Sequence, residues 1–376
     1  MTRVLILHAS IGLGHLRAAT ALESAFQQRQ VEQVWVEDFF EAGLPLFGKL
    51  YAGSYTEVSE KLPELWSYYY ERVDQGDSQI GKRFSELVVR LGIFGLDKFV
   101  RRYNPDVIVC THFLPLDILL SLKRQGKLNL PIYCVVTDYT GHILWAYSRV
   151  DGYFVGSDET ARLLAQRGVP ESLITVTGIP VDPEIAQSKE PAQIRQAHQI
   201  ADGPVITLIG SGLNPKTVRQ MVTGLLEREI SGTLFVVAGR NKNLQEQLAD
   251  LQSSATLKLR MVGFIDYLDD LTAISTLVVT KAGGLIISEL MARQTPLLIV
   301  DPVPGQEEWN ADYVVATGAG VQVRLTEMVP VVVQHLLNTP AYLEALRAGA
   351  GRAGQPQAAL DVADAILARV GTESQS

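Results

Sequence analysis

Short apolar runs rich in Val, Ile and Leu recur along this chain. Each closes on a glycine or a polar residue, and most lead into a helical pattern. Examples are Val4–His8, Asp106–Thr111 (DVIVCT), Pro131–Thr137 (PIYCVVT), Pro204–Ile209 and Thr233–Ala238. A run that is apolar on both sides of the pleat belongs to a strand covered on both faces. Strands of that kind alternating with helices predict parallel sheets in an α/β fold. The clearest unit runs from Leu277 to Asn310. A strand, Leu277–Thr280, meets Gly283 and Gly284, and a helix follows from Leu285 to about Arg293. A second strand, Pro296–Val300, ends at Asp301, and a Pro-Gly loop leads to another helix at Gln306.

Polar residues in this unit collect at strand ends and helix starts, where an open parallel sheet binds ligands. A helix start behind glycines offers free N–H groups and partial positive charge, which suit a diphosphate. Glu289 stands in the first turns of that helix, where a carboxylate can accept from ribose hydroxyls. Gln306, Glu307 and Asn310 carry amides and a carboxylate suited to sugar hydroxyls. An ordinary strand–turn–helix with solvated polar ends fits the same local pattern.

The first half repeats the theme. Val4–His8 is followed by a glycine loop, Ser10–Gly14, and a helix that opens at His15 and continues to about Arg29. A lone glycine turn is weak evidence for a nucleotide. A histidine there can act as a general base near neutral pH, or can cap or support the helix. Further strands end at His112, at Asp138 (followed by TGHILW, with His142 and Trp145) and at Gly156, and Ile174–Thr177 is another. Polar groups at successive strand ends point to one crevice.

Residues 183–203 are rich in Gln, Ala, Glu and Pro, without a sustained strand pattern, and the interdomain linker is expected there. The rhythm restarts at Pro204, with strands ending in Gly210-Ser211-Gly212, Gly239-Arg240-Asn241 and Gly263-Phe264. Two doubly wound Rossmann-like domains facing across a cleft are expected, 1–182 and 183–357. The amphipathic tail helix, 358–376, is expected to pack back on the first. A length of 376 residues suits two such domains.

Between Phe39 and Arg72 the rhythm breaks, and nine of the chain's 13 Tyr, 11 Phe and 4 Trp fall in that span. The following Lys82–Tyr103 segment has six basic residues (Lys82, Arg83, Arg90, Lys98, Arg101, Arg102) against Glu86 and Asp97, with apolar residues at helical spacing. Aromatics with Lys and Arg suit an anionic membrane surface. A helical excursion packed on the sheet with a solvated basic face accounts for the pattern equally. The net charge of −8 argues against general nucleic-acid binding. Cys110 and Cys134, the only cysteines, lie inside apolar runs and read as packed thiols. The chain enters a strand from its first residues, so no signal peptide is expected. No apolar run nears the roughly 18 residues of a membrane span. A cytoplasmic protein, peripheral on the inner face of the cell membrane, is expected.

Three segments together, ILHASIGLGH, TDYTGHILW and TKAGGLIISELMARQTPLLIVDPVPGQEEWNADYVV, resemble the monogalactosyldiacylglycerol synthase and processive diacylglycerol glucosyltransferase family (glycosyltransferase family 28). They stand in the family's order, and the resemblance covers nearly the whole chain. Leu13 replaces the middle of the usual three glycines, and the acceptor side matches least. The resemblance implies a GT-B fold and an inverting transfer of hexose from UDP-glucose or UDP-galactose to diacylglycerol. His15, behind Gly14, would be the general base or would orient the acceptor. Asp138 and His142, counted with it as catalytic, and Trp145 would shape the acceptor or sugar site. Ser211 and Gly212 would lie near the phosphates, with Lys281 and Leu285 also in the donor site. Gly283 and Gly284 would let the backbone approach the diphosphate. Glu289 would hold the ribose, and Gln306 and Glu307 the sugar. Gly239, Arg240 and Phe264 would surround the uracil.

The chain has no Asp-x-Asp element to hold a divalent ion on a nucleotide sugar, so no metal and no cofactor are expected, with the UDP-sugar as substrate. Three rivals remain at this level: a UDP-sugar transferase to another lipid such as a lipid-linked muropeptide, a UDP-GlcNAc 2-epimerase, and a non-catalytic nucleotide-sugar sensor.

Overall fold

The computed structural model describes residues 2–10, 13–43, 72–74, 95–147 and 149–373. By contact the chain forms two units. One comprises Met1–Glu184, Pro304–Trp309 and Gln355–Ser376, and the other Ile185–Val303 and Asn310–Gly354.

The first unit holds a sheet of β1 (Arg3–His8), β2 (Gln33–Asp38), β3 (Val107–Cys110), β4 (Ile132–Val135), β5 (Gly152–Val155) and β6 (Ile174–Val176). All neighbours are parallel, in the order β2-β1-β3-β4-β5-β6. The order turns back between β1 and β3, so a crevice opens at their carboxyl ends. Leu5, Leu7, Ile108, Cys110, Ile132 and Cys134 face one core, and Val4, Ile6, Val107, Val109, Tyr133 and Val135 the other. Cys110 and Cys134 are register partners on adjacent strands, both free thiols and both buried. Burial pushes both thiols far above their ordinary pKa.

The helix Gly14–Gln28 covers one face of this sheet through Ala18, Leu22, Ala25 and Phe26. The last helix, Ala358–Glu373, packs beside it. Ala359, Val362, Ala363 and Ile366 enter the same core, and Arg29 grips Asp364 with two hydrogen bonds of 2.5 and 2.7 Å.

The second unit holds β7 (Val205–Ile209), β8 (Gly232–Val237), β9 (Leu257–Val262), β10 (Leu277–Thr280), β11 (Leu297–Val300) and β12 (Gly320–Val323). They pair in parallel in the order β12-β11-β10-β7-β8-β9. This is the doubly wound dinucleotide-fold order, with its switch point between β7 and β10.

Two expectations change in detail. Only the start of the 183–203 stretch lies at the crossing between units. Pro191–Ala197 forms a helix, and Ile194 and Ile200 are buried in the second unit beside Val205, Phe235 and Leu271. The excursion after β2 is described at 39–43, 72–74 and 95–103; residues 44–71 and 75–94, with most of the aromatic and basic positions, lie outside the described residues. Phe39 and Phe40 are in the core, 0% and 4% exposed, and do not face a membrane. In the helical stretch 95–103, Leu96 and Val100 are buried and Phe99 and Tyr103 pack against the same core, while Lys98, Arg101 and Arg102 are exposed. The described part of the apolar stripe read from the sequence is therefore spent inward, and the outward face there is cationic.

Candidate active site

In the first unit the switch point gathers histidines. His15 is the second residue of its helix, which starts behind Leu13 without a side-chain cap. Its Nδ1 lies 2.9 Å from the carbonyl oxygen of Thr111, at the end of β3, and 3.0 Å from the hydroxyl of Thr137, just past β4. A carbonyl can only accept, so Nδ1 carries the proton and donates, and the lone pair of the neutral ring sits on Nε2. Thr111 also returns a bond, its hydroxyl donating to the His15 carbonyl at 3.0 Å. The His112 ring packs edge-on against His15, with centroids 4.5 Å apart. His112 Nδ1 accepts from the Leu114 N–H at 3.1 Å.

Burial pushes the His15 pKa down to about 4, and the neighbouring His8 adds to the effect, while the Thr111 carbonyl works against it. Burial depresses His112 as well, as do His15 and His8. His8 is lowered by burial against the pull of Asp38. At neutral pH the rings are uncharged. Asp38, at the end of β2, accepts from the Ser10 hydroxyl and, at 2.9 Å, from the Phe40 N–H.

Asp138 follows Thr137 and is 8% exposed. His142 is 1% exposed and stands apart from the His15 group in its bonding. Its Nδ1 accepts from the Leu144 N–H at 3.2 Å, so its proton is on Nε2, 3.6 Å from the Asp74 carboxylate. Asp74 also takes the Ile143 N–H at 2.9 Å and pairs with Arg167. Trp145 is 2% exposed and packs in the core against Phe113; its carbonyl accepts from the Tyr153 hydroxyl at 2.9 Å. Its ring is a wall of the fold, not an open contact surface.

In the second unit the loops after β7, β8 and β10 converge. Asn214 caps the helix Pro215–Leu226 and Asn241 caps Lys242–Leu248. The helix Gly284–Ala292, at the switch point, starts behind Gly283 with no side-chain cap and no acidic residue in its first turn. The main-chain N–H groups at its start have no side-chain cap from Gly283, and that end carries partial positive charge. The Leu285 side chain is buried, 5% exposed, which leaves only its backbone at that end.

Lys281 follows β10, and its stem passes beside Gly212, where an added Cβ would lie 3.9 Å from the lysine Cδ. Gly239 has φ +56°, and a Cβ there would sit 3.0 Å from the Ser211 Cβ. The β8 loop thus approaches the β7 loop closely because residue 239 has no side chain. The Arg240 guanidinium lies 4.8 Å from the centre of the Phe264 ring, which is 65% exposed. Asn310 is fully buried, and its Nδ2 donates to the Ala282 carbonyl at 3.0 Å. It holds the turn after β10, which leaves its amide committed to the fold. Glu289 is half-buried on the helix that turn introduces. Gln306 and Glu307 lie in the 304–309 segment, which groups with the first unit; Glu308 there accepts from the Gly305 N–H at 3.0 Å and closes the helix start.

The family model described as Monogalactosyldiacylglycerol (MGDG) synthase matches residues 15–181, and the Glycosyltransferase family 28 C-terminal domain matches 210–360. A processive diacylglycerol beta-glucosyltransferase of Bacillus cereus is 31% identical over 375 residues, covering 97% of this chain and 93% of that protein. This chain belongs to the monogalactosyldiacylglycerol synthase and diacylglycerol glucosyltransferase family. Its fold is shared more widely. Acinetobacter baumannii MurG superposes with a TM-score of 0.64 at 18% identity, covering 98% of this chain and 99% of that one. A UDP-GlcNAc 2-epimerase from Neisseria meningitidis, bound to UDP-GlcNAc, gives 0.61 at 13% identity over 97% of this chain and 100% of its own. Those likenesses support the two-domain GT-B architecture. The diacylglycerol glycosyltransferase family is assigned by sequence.

His15, in the glycine loop, meets His112, which the sequence reading named as a strand end, and also Thr111, Thr137 and His8, whose link to it the sequence reading did not single out. Threonine or histidine at a strand's carboxyl end is the available signal, and His112 carried it. Asp74 had none, standing between segments without periodicity.

Proposed function

We propose that this chain is an inverting, UDP-sugar-dependent hexosyltransferase that glycosylates diacylglycerol. The observation that carries the reading is the full-length relationship to the Bacillus cereus processive diacylglycerol beta-glucosyltransferase. The chemistry of both switch points agrees with it. Phosphate groups at the start of Gly284–Ala292 would meet main-chain N–H groups that no side chain caps and the positive helix end. The exposed Arg240–Phe264 pair suits a flat base, and Glu289 suits the ribose.

In the transfer, the diacylglycerol hydroxyl attacks the anomeric carbon from the face opposite the leaving group. The new C–O bond forms as the bond to the diphosphate oxygen breaks, and UDP leaves with the electron pair. The hydroxyl proton passes to Nε2 of His15, which is neutral and holds its lone pair there. Charge growing on UDP is met by the helix end and by Lys281. This scheme routes no step through a metal or cofactor. An epimerase shares the fold, but the sequence relationship favours transfer, and a sugar-nucleotide sensor has no need of a proton acceptor.

No helix among the described residues is long and apolar enough to cross a membrane. The acceptor is a lipid, so the protein works as a peripheral protein at the cytoplasmic face of the membrane, with Lys98, Arg101 and Arg102 among the groups facing anionic headgroups.

The test is mass spectrometry of lipids after incubation with diacylglycerol vesicles and either UDP-glucose or UDP-galactose. A hexosyl-diacylglycerol is expected from one donor, and His15→Ala is expected to cut turnover about 10²-fold or more while still binding UDP. No glycolipid from either donor overturns the acceptor assignment, and undiminished turnover in His15→Ala overturns the base.

A further inference from the structure

A proton-accepting histidine is commonly braced by a carboxylate, which holds the ring and stabilises the imidazolium. His15 is braced otherwise. Among the described residues, the groups that face it are Thr111 and His112 from the end of β3, Thr137 from the end of β4 and His8 on β1, and none of these is an acid. Asp38, Glu37 and Glu41 bear on His8 instead. The ring also stands in the first turn of Gly14–Gln28, whose positive end opposes a cation.

Thr111 holds this residue at two points. Its carbonyl takes the ring Nδ1–H at 2.9 Å, and its hydroxyl donates to the His15 main-chain carbonyl at 3.0 Å. Thr137 places a second oxygen 3.0 Å from the same Nδ1, from a different strand. Thr111 and Thr137 are 0% and 5% exposed, so neither hydroxyl is there for solvent.

We propose that Thr111 and Thr137 are positioning residues, a neutral two-strand cradle that replaces the usual carboxylate in fixing the tautomer and orientation of His15. This rests on the reading of His15 as the base. It goes further by naming what aims the base and by stating that no charge does so. Three consequences follow. The ring can take a proton at Nε2 only, so the acceptor hydroxyl must approach from that edge. Replacing the Thr137 hydroxyl should slow chemistry without changing donor affinity. Installing a carboxylate at 137 should make the ring a stronger base and move the acidic limb of the rate profile upward.

The experiment uses the full chain with Thr137→Val, Thr137→Ser, Thr111→Val and Thr137→Asp. For each, kcat, KM for the UDP-sugar and the pH profile of kcat/KM are measured with diacylglycerol vesicles. The His15 imidazole is also followed by ¹⁵N NMR without substrate. Thr137→Val is expected to lower kcat by about tenfold or more with KM for the UDP-sugar unchanged, and Thr137→Ser to restore it. Thr111→Val should lower kcat in the same sense. Thr137→Asp should move the acidic limb up by about one pH unit or more, with the NMR titration of His15 moving alongside. Should burial of the new acid prevent folding, the Val and Ser pair still decides.

Wild-type kcat and unchanged His15 resonances in both valine variants overturn the cradle, as does an Nε2–H tautomer in the native protein. His15→Ala run in parallel separates the two failures. If it loses turnover while the threonine variants do not, the base stands and the cradle falls. If it keeps turnover, the base itself is wrong and the cradle has no catalytic role.

Discussion

Replacing Gly239 by alanine separates backbone strain from ligand contact. The residue has φ +56°, a left-handed conformation that costs an L-residue about 1–2 kcal/mol. A Cβ there also lies 3.0 Å from the Ser211 Cβ and 3.8 Å from its hydroxyl oxygen. That is a few tenths of an ångström too close, and Ser211 is exposed, so the serine can give way. The crowding therefore adds little to the loss of stability. Where Ser211 must move is another matter, because it sits at the end of β7 beside the switch point, where the donor phosphates are proposed to bind. Gly318→Ala is the control. It has φ +69°, and its nearest neighbour to an added Cβ is Arg352 Nη2 at 3.9 Å. Both variants should lose about 1–2 kcal/mol in urea unfolding. Only Gly239→Ala should weaken UDP binding by calorimetry, by about tenfold, or roughly 1.4 kcal/mol. Equal UDP affinity in the two variants, with equal loss of stability, would remove the β8 loop from the donor site. Undiminished stability in both would refute the strain argument itself.

Three further outcomes are expected. Arg240→Ala or Phe264→Ala breaks an exposed cation–π pair worth about 0.5–1 kcal/mol to the fold, so the melting temperature should barely move; UDP affinity should drop several-fold, and an unaltered affinity places the base elsewhere. Stability should decline on acidification. His15 titrates near 4 in the fold against an ordinary 6.5, so its folded pKa is depressed and its contribution is complete above about pH 6.5 and lost as pH falls towards 4. That is of the order of 3 kcal/mol at most, reduced by the ring's partial exposure and supplemented by His8 and His112; a urea midpoint that stays level from pH 7 to 4.5 contradicts it. A chelator should leave transfer activity intact, and activity lost to chelator and restored by a divalent ion would reject the metal-free scheme.

The central strands were legible because they are covered on both faces. Val4–Leu7, Val107–Cys110, Leu277–Thr280 and Leu297–Val300 are buried throughout and read as unbroken apolar runs. Edge strands have one neighbour and less cover. In β2 (QVWVED) five of the six residues are half-buried and the other is exposed, and β12 (GVQV) is four residues with a glutamine; neither carries a run to read. Periodicity also cannot say what covers an apolar stripe. The one ending in 95–103 suited a lipid surface as well as a core, and its described part, Leu96 and Val100, went to the core. Trp145 and Asn310 have the same cause: a motif names the residue type, but the direction of the side chain is settled by packing from elsewhere in the chain. The partners of His15 show this most plainly, since Thr111 and Thr137 lie 96 and 122 residues away.

The two units use one backbone device for opposite ends. Each has a helix starting without a side-chain cap at the point where its strand order turns back, so each presents a positive end. In the second unit Lys281 stands in the turn just before that end, an arrangement that would favour a departing diphosphate. In the first, the imidazole is ringed by threonines and other histidines, and burial, with the helix field acting in the same sense, holds the ring in its uncharged form. A histidine already protonated at neutral pH could not take the acceptor's proton. A base held neutral by burial and helix field is ready at every physiological pH, at the cost of weak intrinsic basicity. The acid limb of kcat/KM for the native enzyme should accordingly lie well below pH 6, where an unperturbed histidine would place it above.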